Sequence, residues 1–571
     1  MRALLHFEPF GRLAFQRPRR VLTADEPSGV RPLLRAVEAE SAAGRWAAGF
    51  LAYEAAPAFD RALRVRPPRR GPLACFGIYD APGEPPCPSG AARVFGLEPE
   101  ISRSEHAAAV ALVREALARG DAYQVNLTFR VAGRFEGDPF ALHDWLRAAQ
   151  GGGFTACLDL GDRALVSASP EIFFHRTGST VRVRPMKGTA RRGRWLEEDE
   201  DAAARLGASE KDRAENVMIV DLLRNDLGKV AEPGGVAVER LFEVETWRTV
   251  HQMTSSVAAR VPPAVGLEGL LAALFPSGSV TGAPKVAAMA LVAALERSPR
   301  GPYCGAVGLV APGGEAVFNV AIRTLDLDLR TGAATAATGG GVTWGSSASG
   351  EWDEALAKTA FLADPAVDFQ LVETVRAEGG SCPRLERHLA RTAASARYFG
   401  FAADTARARA ALEAAARAED GAPRRLRLLT ASDGALRVEC APLPGTAPTP
   451  WPVALSRWPV RRDDRFLFHK TTRRETYDAR RAERPDAADV LLLNEQGEVT
   501  EFTIGNLVAE IGGERLTPAR DCGLLAGVWR EELLARGLAR EAALREADLA
   551  GARRLWLVNS LRGEVPVRLI R

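Results

Sequence analysis

The chain has 571 residues, more than one ordinary core holds, and a prior of about 150 residues per domain gives three or four units. Hydrophobic residues make up 46% and charged residues 26%, the profile of a soluble globular protein, and a net charge of +3 excludes a broad basic field for nucleic acid or membrane. Seven scattered cysteines with no C-x-x-C pair argue against zinc and against a disulfide framework, and no apolar run approaches a membrane span. The N-terminus reaches charge at Arg2 and Glu8 before a signal-like run can form, so the expected compartment is the cytoplasm.

Residues 1 to 100 are weakly patterned. Gly44 to Asp60 reads as a buried strand entering a turn, and the Pro/Gly-rich stretch from Arg66 to Gly90 as loop. Ser102-x-x-Glu105 is a capping box that opens a helix ending at Gly120. In the strand that follows, Tyr123, Val125, Leu127 and Phe129 alternate with Gln124, Asn126 and Thr128. The polar face is either wet or lines a cavity.

Only six of the 75 basic residues are lysine, at 187, 211, 229, 285, 358 and 470. Arginine stays protonated, whereas a desolvated lysine can lose its proton and act as a nucleophile or Schiff-base former. Lys187 stands in the loop Pro185-Met186-Lys187-Gly188-Thr189. Residues 212–227 read as a helix, with Val217, Ile219, Val220, Leu222 and Leu223 on its apolar side and Glu215 one turn before Ile219. Pro276 to Lys285 is a Gly/Ser/Thr turn opening a helix from Val286 to Arg297. The stretches 303–308 and 318–323 read as strands, the second ending in Arg323, a carboxylate clamp if it points inward. Gly339-Gly340-Gly341 permits close backbone approach. Glu351, Glu354 and Lys358 share one helix face, either as a solvated ion pair or, with Glu215, as a hard-cation site. The chain starts again near Ala363–Asp368, with a strand at 369–377 and a helix at 385–398, so a domain boundary is placed near 366. Beyond it, Lys470 with Glu501 thirty-one residues on is an acceptable pyridoxal-phosphate (PLP) pattern.

Two families are legible in these residues. GDAYQVNLT (120–128), SASPE (167–171), PMKGT (185–189), DRAENVMIVDLLRND (212–226), GSVTGAPK (278–285), NVAIRT (319–324) and EWDEALAK (351–358) resemble the chorismate-utilising enzymes, specifically aminodeoxychorismate synthase component I. ETVR (373–376), LERHLARTAASARYFGF (385–401), HKTT (469–472), TEFTIGN (500–506), GLLAGVWRE (523–531) and NSLRG (559–563) resemble 4-amino-4-deoxychorismate lyase, of the class IV PLP enzymes. The implied fold is α+β. A chorismate-utilising domain at 1–365, with its core at 101–362 and antiparallel sheets flanked by helices, precedes a two-subdomain, branched-chain-aminotransferase-like fold at 366–571.

The resemblance also implies roles. Anthranilate synthases carry a small residue at the position of Lys187, and isochorismate and salicylate synthases a lysine at that of Gln124, so this pair points to the aminodeoxychorismate branch. Lys187, with lowered pKa, is the implied nucleophile that displaces the C4 hydroxyl of chorismate before ammonia enters at C4. Glu171 is its acid/base partner, and His251 lies near the ring. Mg²⁺ is expected on Glu215 and Glu354, with Glu351 in support. Gly188, Thr189, Tyr303, Arg323, Gly341 and Lys358 match positions that hold the two carboxylates. In the second half Lys470 carries PLP, Glu501 meets the pyridine nitrogen and Arg391 the phosphate. Backbone and side-chain donors near Thr503, Ile504, Val528 and Trp529 complete the cradle, Trp529 through its backbone alone. Pyruvate then leaves and 4-aminobenzoate, a folate precursor, remains. The chain departs from the family at Gly345-Ser346, where Asp-Ser is usual, and at Trp529, where related aminotransferases have threonine.

No G-x-C-x-G elbow is present, so free ammonia or a separate glutamine amidotransferase subunit supplies nitrogen. The oligomeric state stays open, a homodimer through the second half being one arrangement. The rival readings are an anthranilate-type synthase fused to a class IV aminotransferase, and a non-catalytic metabolite-sensing pseudoenzyme.

Overall fold

The fold is taken from a computed structural model of the chain, which describes residues 1–68, 71–359, 362, 369–418, 422–443, 445 and 449–570. It separates into two compact units. The first comprises Met1–Arg191 with Ala203–Ala366, the second Arg192–Ala202 with Val367–Arg571. The boundary placed near 366 lies outside the described residues. Residues 192–202, assigned to the first domain by chain order, group with the second unit.

The first unit stacks two antiparallel sheets. One runs Gly282–Ala283, Gln124–Gly137, Ala333–Val342, Thr324–Asp328, Arg163–Ser169, Phe154–Asp159, Arg2–Phe7, Gly11–Phe15, with Ala92–Pro99 also on Gln124–Gly137. The other runs Met186–Arg191, Val250–Arg260, Thr180–Val183, Ile172–Thr177, Ala316–Val320, Ala306–Val310, Trp46–Leu51, Ala74–Tyr79, Arg20–Ala24, with Val236–Thr246 also on Val250–Arg260. Their inner faces interlock through Leu5, Phe7, Phe50, Leu165, Val307 and Val317, all buried. Helices Pro27–Ala42, Glu210–Gly228 and Leu267–Leu274 cover the outside of the second sheet, and Pro139–Gln150 that of the first.

Two expectations are corrected here. The 66–90 stretch is not all loop: Ala74–Tyr79 is a fully buried strand flanked by two partners. The prolines and glycines crowd its ends and mask a six-residue run that needs no alternation, because both its faces are covered. In the helix, Val217 is exposed rather than on the apolar face.

The capping box is present, with Ser102 N donating to Glu105 Oε2 at 2.7 Å and Glu105 N to Ser102 Oγ at 3.3 Å. The polar face of the 124–128 strand is dry. Thr128 donates to Glu296 at 2.8 Å, and Asn126 Nδ2 donates to Val280 O at 3.2 Å. The buried Arg300 pairs with Glu296 at 2.7 Å and donates to Asn126 O at 2.6 Å. Removing one side of such a buried pair costs about 3–5 kcal/mol, so this network fixes the strand that presents Gln124.

The second unit has two parts. Leu371–Ala377, Arg424–Thr430 and Leu436–Pro442 form a three-stranded sheet backed by helices Leu385–Phe399 and Thr405–Arg417. The other part is an eight-stranded mixed sheet in which Val499–Phe502 pairs with both Asp489–Leu493 and Gly505–Ile511. Six of its strands therefore close into a ring. No helix among the described residues is long and apolar enough to cross a membrane.

Candidate functional site

In the first unit the two sheets bring their polar edges together at Lys187. The lysine lies on Met186–Arg191, and its amine is 3.6 Å from Glu215 on the helix Glu210–Gly228, whose start is capped by Ser209. From the other sheet come Gln124 and Gly341, paired neighbours in the register Val342↔Val125 and Gly341↔Asn126. A β-carbon on Gly341 would lie 2.2 Å from Gln124 Nε2 and 2.7 Å from Lys187 Nζ. The glycine is therefore the space that the amine and the amide occupy. Gly340 does the same for Glu351, whose Oε2 would lie 2.8 Å from an added β-carbon.

Lys187 faces acids on several sides. Glu171 is buried, and burial pushes its carboxyl up to about 7 against a Ser279 hydrogen bond and the Lys187 charge. At Glu351 burial again raises the carboxyl pKa, aided by the neighbouring Glu354, while Ser346, Lys358 and Lys187 oppose it. Glu354 pairs with Lys358 at 2.8 Å, and against burial that lysine, with Lys187 and Lys211, brings its pKa down. Lys358 also donates to Gly339 O at 2.9 Å. The Gly345-Ser346 departure leaves the loop anchored: Thr343 N donates to Ser346 Oγ at 3.0 Å, and Ser347 caps the helix Ala348–Ala357.

Among the described residues no three His, Cys, Asp or Glu side chains converge as a ready-made metal centre. Glu215 and Glu354 are instead each engaged with a lysine. The donor chemistry nevertheless suits a hard cation, since Glu215, Glu351 and Glu354 all interact with the same amine and Glu351 is a desolvated acid beside a second one.

Of the remaining first-site residues, Gly188 and Thr189 lie on the Lys187 strand, His251 on its neighbour Val250–Arg260, and Tyr303 and Arg323 between strands. Gly188, at φ 94°, sits against Asp212 and accepts a 2.8 Å bond from Gln252 Nε2. Thr189 donates to Gln252 Oε1 at 3.0 Å. His251 is buried opposite Ala190 and bonds Thr246 at 3.1 Å. Tyr303 is buried, which raises its phenol pKa far above the ordinary value. Arg323 bonds Gln150 at 3.1 Å, and burial lowers its guanidinium to about 10, a cation held with little solvent. Sequence reasoning missed Ser279, Gln252 and Asn216. Asn216 follows Glu215, donates to Lys187 O at 3.4 Å and accepts from Ser255 at 2.5 Å.

In the second unit Lys470, Glu501, Arg391, Thr503, Ile504 and Val528 line one cavity of 480 Å³. Lys470 O accepts a 2.8 Å bond from Val372 N, which ties the lysine to the small sheet. Burial first, then Arg391 and Arg474, lowers its amine to about 8. Glu501 is raised to about 7 by burial, although Tyr477 donates to it at 2.7 Å and Leu525 N at 3.1 Å. Asn506 adds a 3.2 Å bond to its other oxygen. Arg391 donates to Glu373 at 2.9 and 2.7 Å and to Ala526 O at 3.2 Å. Glu373, within a motif to which no role was assigned, also binds His388 at 2.7 Å. Burial opposes its ionisation, but Arg391 and His388 prevail and hold it at about 2.

One expectation in the phosphate cradle is corrected. The Thr503 hydroxyl is committed to Asp489, which leaves only its backbone and that of Ile504 for an anion. The Trp529 indole packs under the Arg384 guanidinium, 4.0 Å from the ring centroid, which leaves its backbone, the part expected to contribute, at the start of the helix Val528–Ala535. Tyr477, Arg474, Asn506 and Glu373 were missed, because none had a spacing that marked it.

Comparison with known proteins adds three findings. The chorismate binding enzyme family profile matches residues 5–364, and that of amino-transferase class IV matches residues 370–570. Aminodeoxychorismate synthase component 1 of Salmonella typhimurium is 39% identical over 265 residues, 46% of this chain and 58% of the relative. Anthranilate synthase component 1 of Streptomyces coelicolor is 38% identical over 265 residues, 46% of this chain and 52% of the relative. The chain thus spans a little over half the length of these two curated relatives. The crystal structure of anthranilate synthase component I from Streptococcus pneumoniae superposes with a TM-score of 0.55 at 25% identity, over 63% of this chain and 92% of that one.

Proposed function

Because the chain belongs to the chorismate binding enzyme family over residues 5–364 and carries an amino-transferase class IV domain over residues 370–570, we propose that it makes 4-aminobenzoate from chorismate in two steps. The first is amination at C4 to aminodeoxychorismate. The second is loss of pyruvate in the class IV unit. The observation that carries the reading is the Lys187 amine set against Gly341, Gln124 and Glu215, an amine where anthranilate synthases have a small side chain.

In the first step the Lys187 amine attacks the chorismate ring as the C4 hydroxyl leaves. Glu171, protonated below about pH 7, supplies that hydroxyl with its proton, and water departs. Ammonia then bonds to C4, and Lys187 is expelled as the free amine. Nitrogen comes from free ammonium or a separate glutamine amidotransferase subunit. Mg²⁺ would be held by Glu215, Glu354 and Glu351, where it would anchor a carboxylate and draw electrons from the leaving oxygen. Arg323, Tyr303, Lys358 and the turn at Gly188-Thr189 hold the substrate's carboxylates.

The second cavity fits PLP by its donor chemistry: a desolvated lysine, a buried carboxyl opposite it, and an arginine beside a helix N-terminus. Lys470 would hold the cofactor, Glu501 its pyridine nitrogen, and Arg391 with the backbones of Thr503, Ile504, Val528 and Trp529 its phosphate. When bound, PLP supplies an electron sink. Lys470 is the base positioned to carry the ring C4 proton.

Supplying chorismate with ammonium and following products tests the reading. 4-Aminobenzoate is the expected product, and anthranilate in its place would overturn the proposal. A second measurement follows from the Lys470 amine. Only the neutral amine reacts with an aldehyde, so the rate at which cofactor-free protein regains the visible PLP band should rise with pH through about 8. A midpoint at the ordinary lysine value would show that burial does not depress it.

A further inference from the structure

The second unit contains a piece of chain that its own family profile does not include. Residues 192–202 fall within the stretch matched by the chorismate binding enzyme profile, 5–364, yet they group with residues 367–571. Arg192 follows directly on the strand that carries Lys187.

Inside the second unit this segment is tightly held. The Arg192 guanidinium, with 7% of its side chain exposed, pairs with Asp199 through bonds of 2.7 and 2.8 Å. It also donates to Tyr398 O at 2.7 Å and lies 4.5 Å from the Tyr398 ring centroid. The Tyr398 hydroxyl returns a 2.7 Å bond to Gly193 O. Gly193 N donates to Asp199 Oδ1 at 2.8 Å, and a β-carbon on Gly193 would lie 2.2 Å from Asp199 N, so the turn admits only glycine there.

The target of this construction is His469, next to Lys470. Its ring stacks on Tyr398 with centroids 4.4 Å apart. Its Nε2 is 3.1 Å from Arg194 O, and its Nδ1 is 2.9 Å from Ser395 Oγ. A carbonyl can only accept, so Nε2 carries the proton and Nδ1 accepts from the serine, which leaves one neutral tautomer in one orientation. Burial, with the Arg520, Arg465 and Arg192 charges, lowers the ring to about 3 against the Arg194 carbonyl bond, so it stays neutral at working pH. On the other side, Phe468 lies against Trp195, 5.1 Å between centroids, with Arg194 over Phe468 at 5.2 Å.

We propose that residues 192–199 complete the Lys470 site: by clamping His469 and Phe468 they fix the backbone from which the Lys470 side chain extends, and Arg192, Gly193 and Tyr398 are positioning residues for the second reaction. The site is then not contained in residues 367–571 alone. The proposal rests on the reading that Lys470 carries PLP.

The test uses the full chain with Arg192→Ala and the milder Tyr398→Phe, which keeps the ring stack and removes only the bond to Gly193. Arg397→Ala is the control, since it removes an exposed pair with Glu200 outside the clamp. PLP affinity and the pH midpoint of PLP uptake are read from the visible band. Arg192→Ala should weaken PLP binding by about tenfold or more, the scale seen when groups that orient a ligating residue are removed. It should also move the midpoint upward from about 8 as water reaches the amine. Tyr398→Phe should move both in the same direction by less, and the control neither. If Arg192→Ala fails to fold, Tyr398→Phe decides alone. Wild-type affinity and midpoint in Tyr398→Phe and in any folded Arg192→Ala would overturn the proposal and leave the assignment of Lys470 intact. A wild-type chain with no Lys470-dependent PLP band would overturn both.

Discussion

Replacing Lys187 with alanine should cut formation of 4-aminobenzoate from chorismate and ammonium by about a thousandfold or more, the scale on which covalent nucleophiles contribute. Conversion of supplied aminodeoxychorismate should be unchanged, because it takes place in the other unit. The informative companion is Lys187→Arg. It keeps a cation opposite Glu215 and Glu171, but an arginine does not release its proton and cannot serve as a leaving amine. Arginine should therefore be as inactive as alanine. Substantial turnover by the arginine variant would mean that Lys187 only neutralises its acidic neighbours, and the covalent step would be wrong. Alanine also recreates the small side chain of anthranilate synthases, so a trace of anthranilate from this variant would fit the space that Gly341 leaves open beside Gln124.

Why Lys187 was legible and other parts were not is a matter of what each residue must satisfy. In a chain that places arginine at nearly every basic position, a retained lysine signals chemistry that arginine cannot perform. The carboxylates around it came with motifs whose helical spacing is regular, so Glu215, Glu351 and Glu354 could be named, and Glu171 followed from its motif. What spacing did not convey is charge balance. Glu215 and Glu354 already have ammonium partners, Lys187 and Lys358, and only the fold reveals that the Lys187 charge also acts on Glu354. Partners set by tertiary approach were invisible. Ser279 reaches Glu171 from 108 residues away in the chain, and Glu373 reaches Arg391 across a strand–helix contact. The dry polar face at Gln124, Asn126 and Thr128 was ambiguous for the same reason, because its acceptors are Glu296 and the backbone at Val280. Ala74–Tyr79 was lost because a doubly covered strand carries no alternation. The segment 192–202 was assigned by chain order, which says nothing about which unit a loop enters.

Lys470→Ala should have the complementary effect. Chorismate and ammonium should still be consumed, aminodeoxychorismate should accumulate, and 4-aminobenzoate should fall by about a thousandfold or more, since the residue proposed to hold PLP and carry the C4 proton is gone. The visible PLP band should disappear with it. The two variants together then ask more than either alone. A mixture of Lys187→Ala and Lys470→Ala chains holds one intact copy of each site on separate molecules. If each site works by itself and aminodeoxychorismate crosses bulk solvent, the mixture should make 4-aminobenzoate after a lag that shortens as the Lys187→Ala chain is raised. If each variant keeps its own partial reaction yet the mixture makes none, the chain that forms aminodeoxychorismate retains it instead of releasing it to solvent. If instead Lys187→Ala has lost conversion of supplied aminodeoxychorismate, the division of labour between Lys187 and Lys470 is wrong. The reach of the chain from Lys187 through Arg192 to the clamp on His469 would then be the first place to look for the reason.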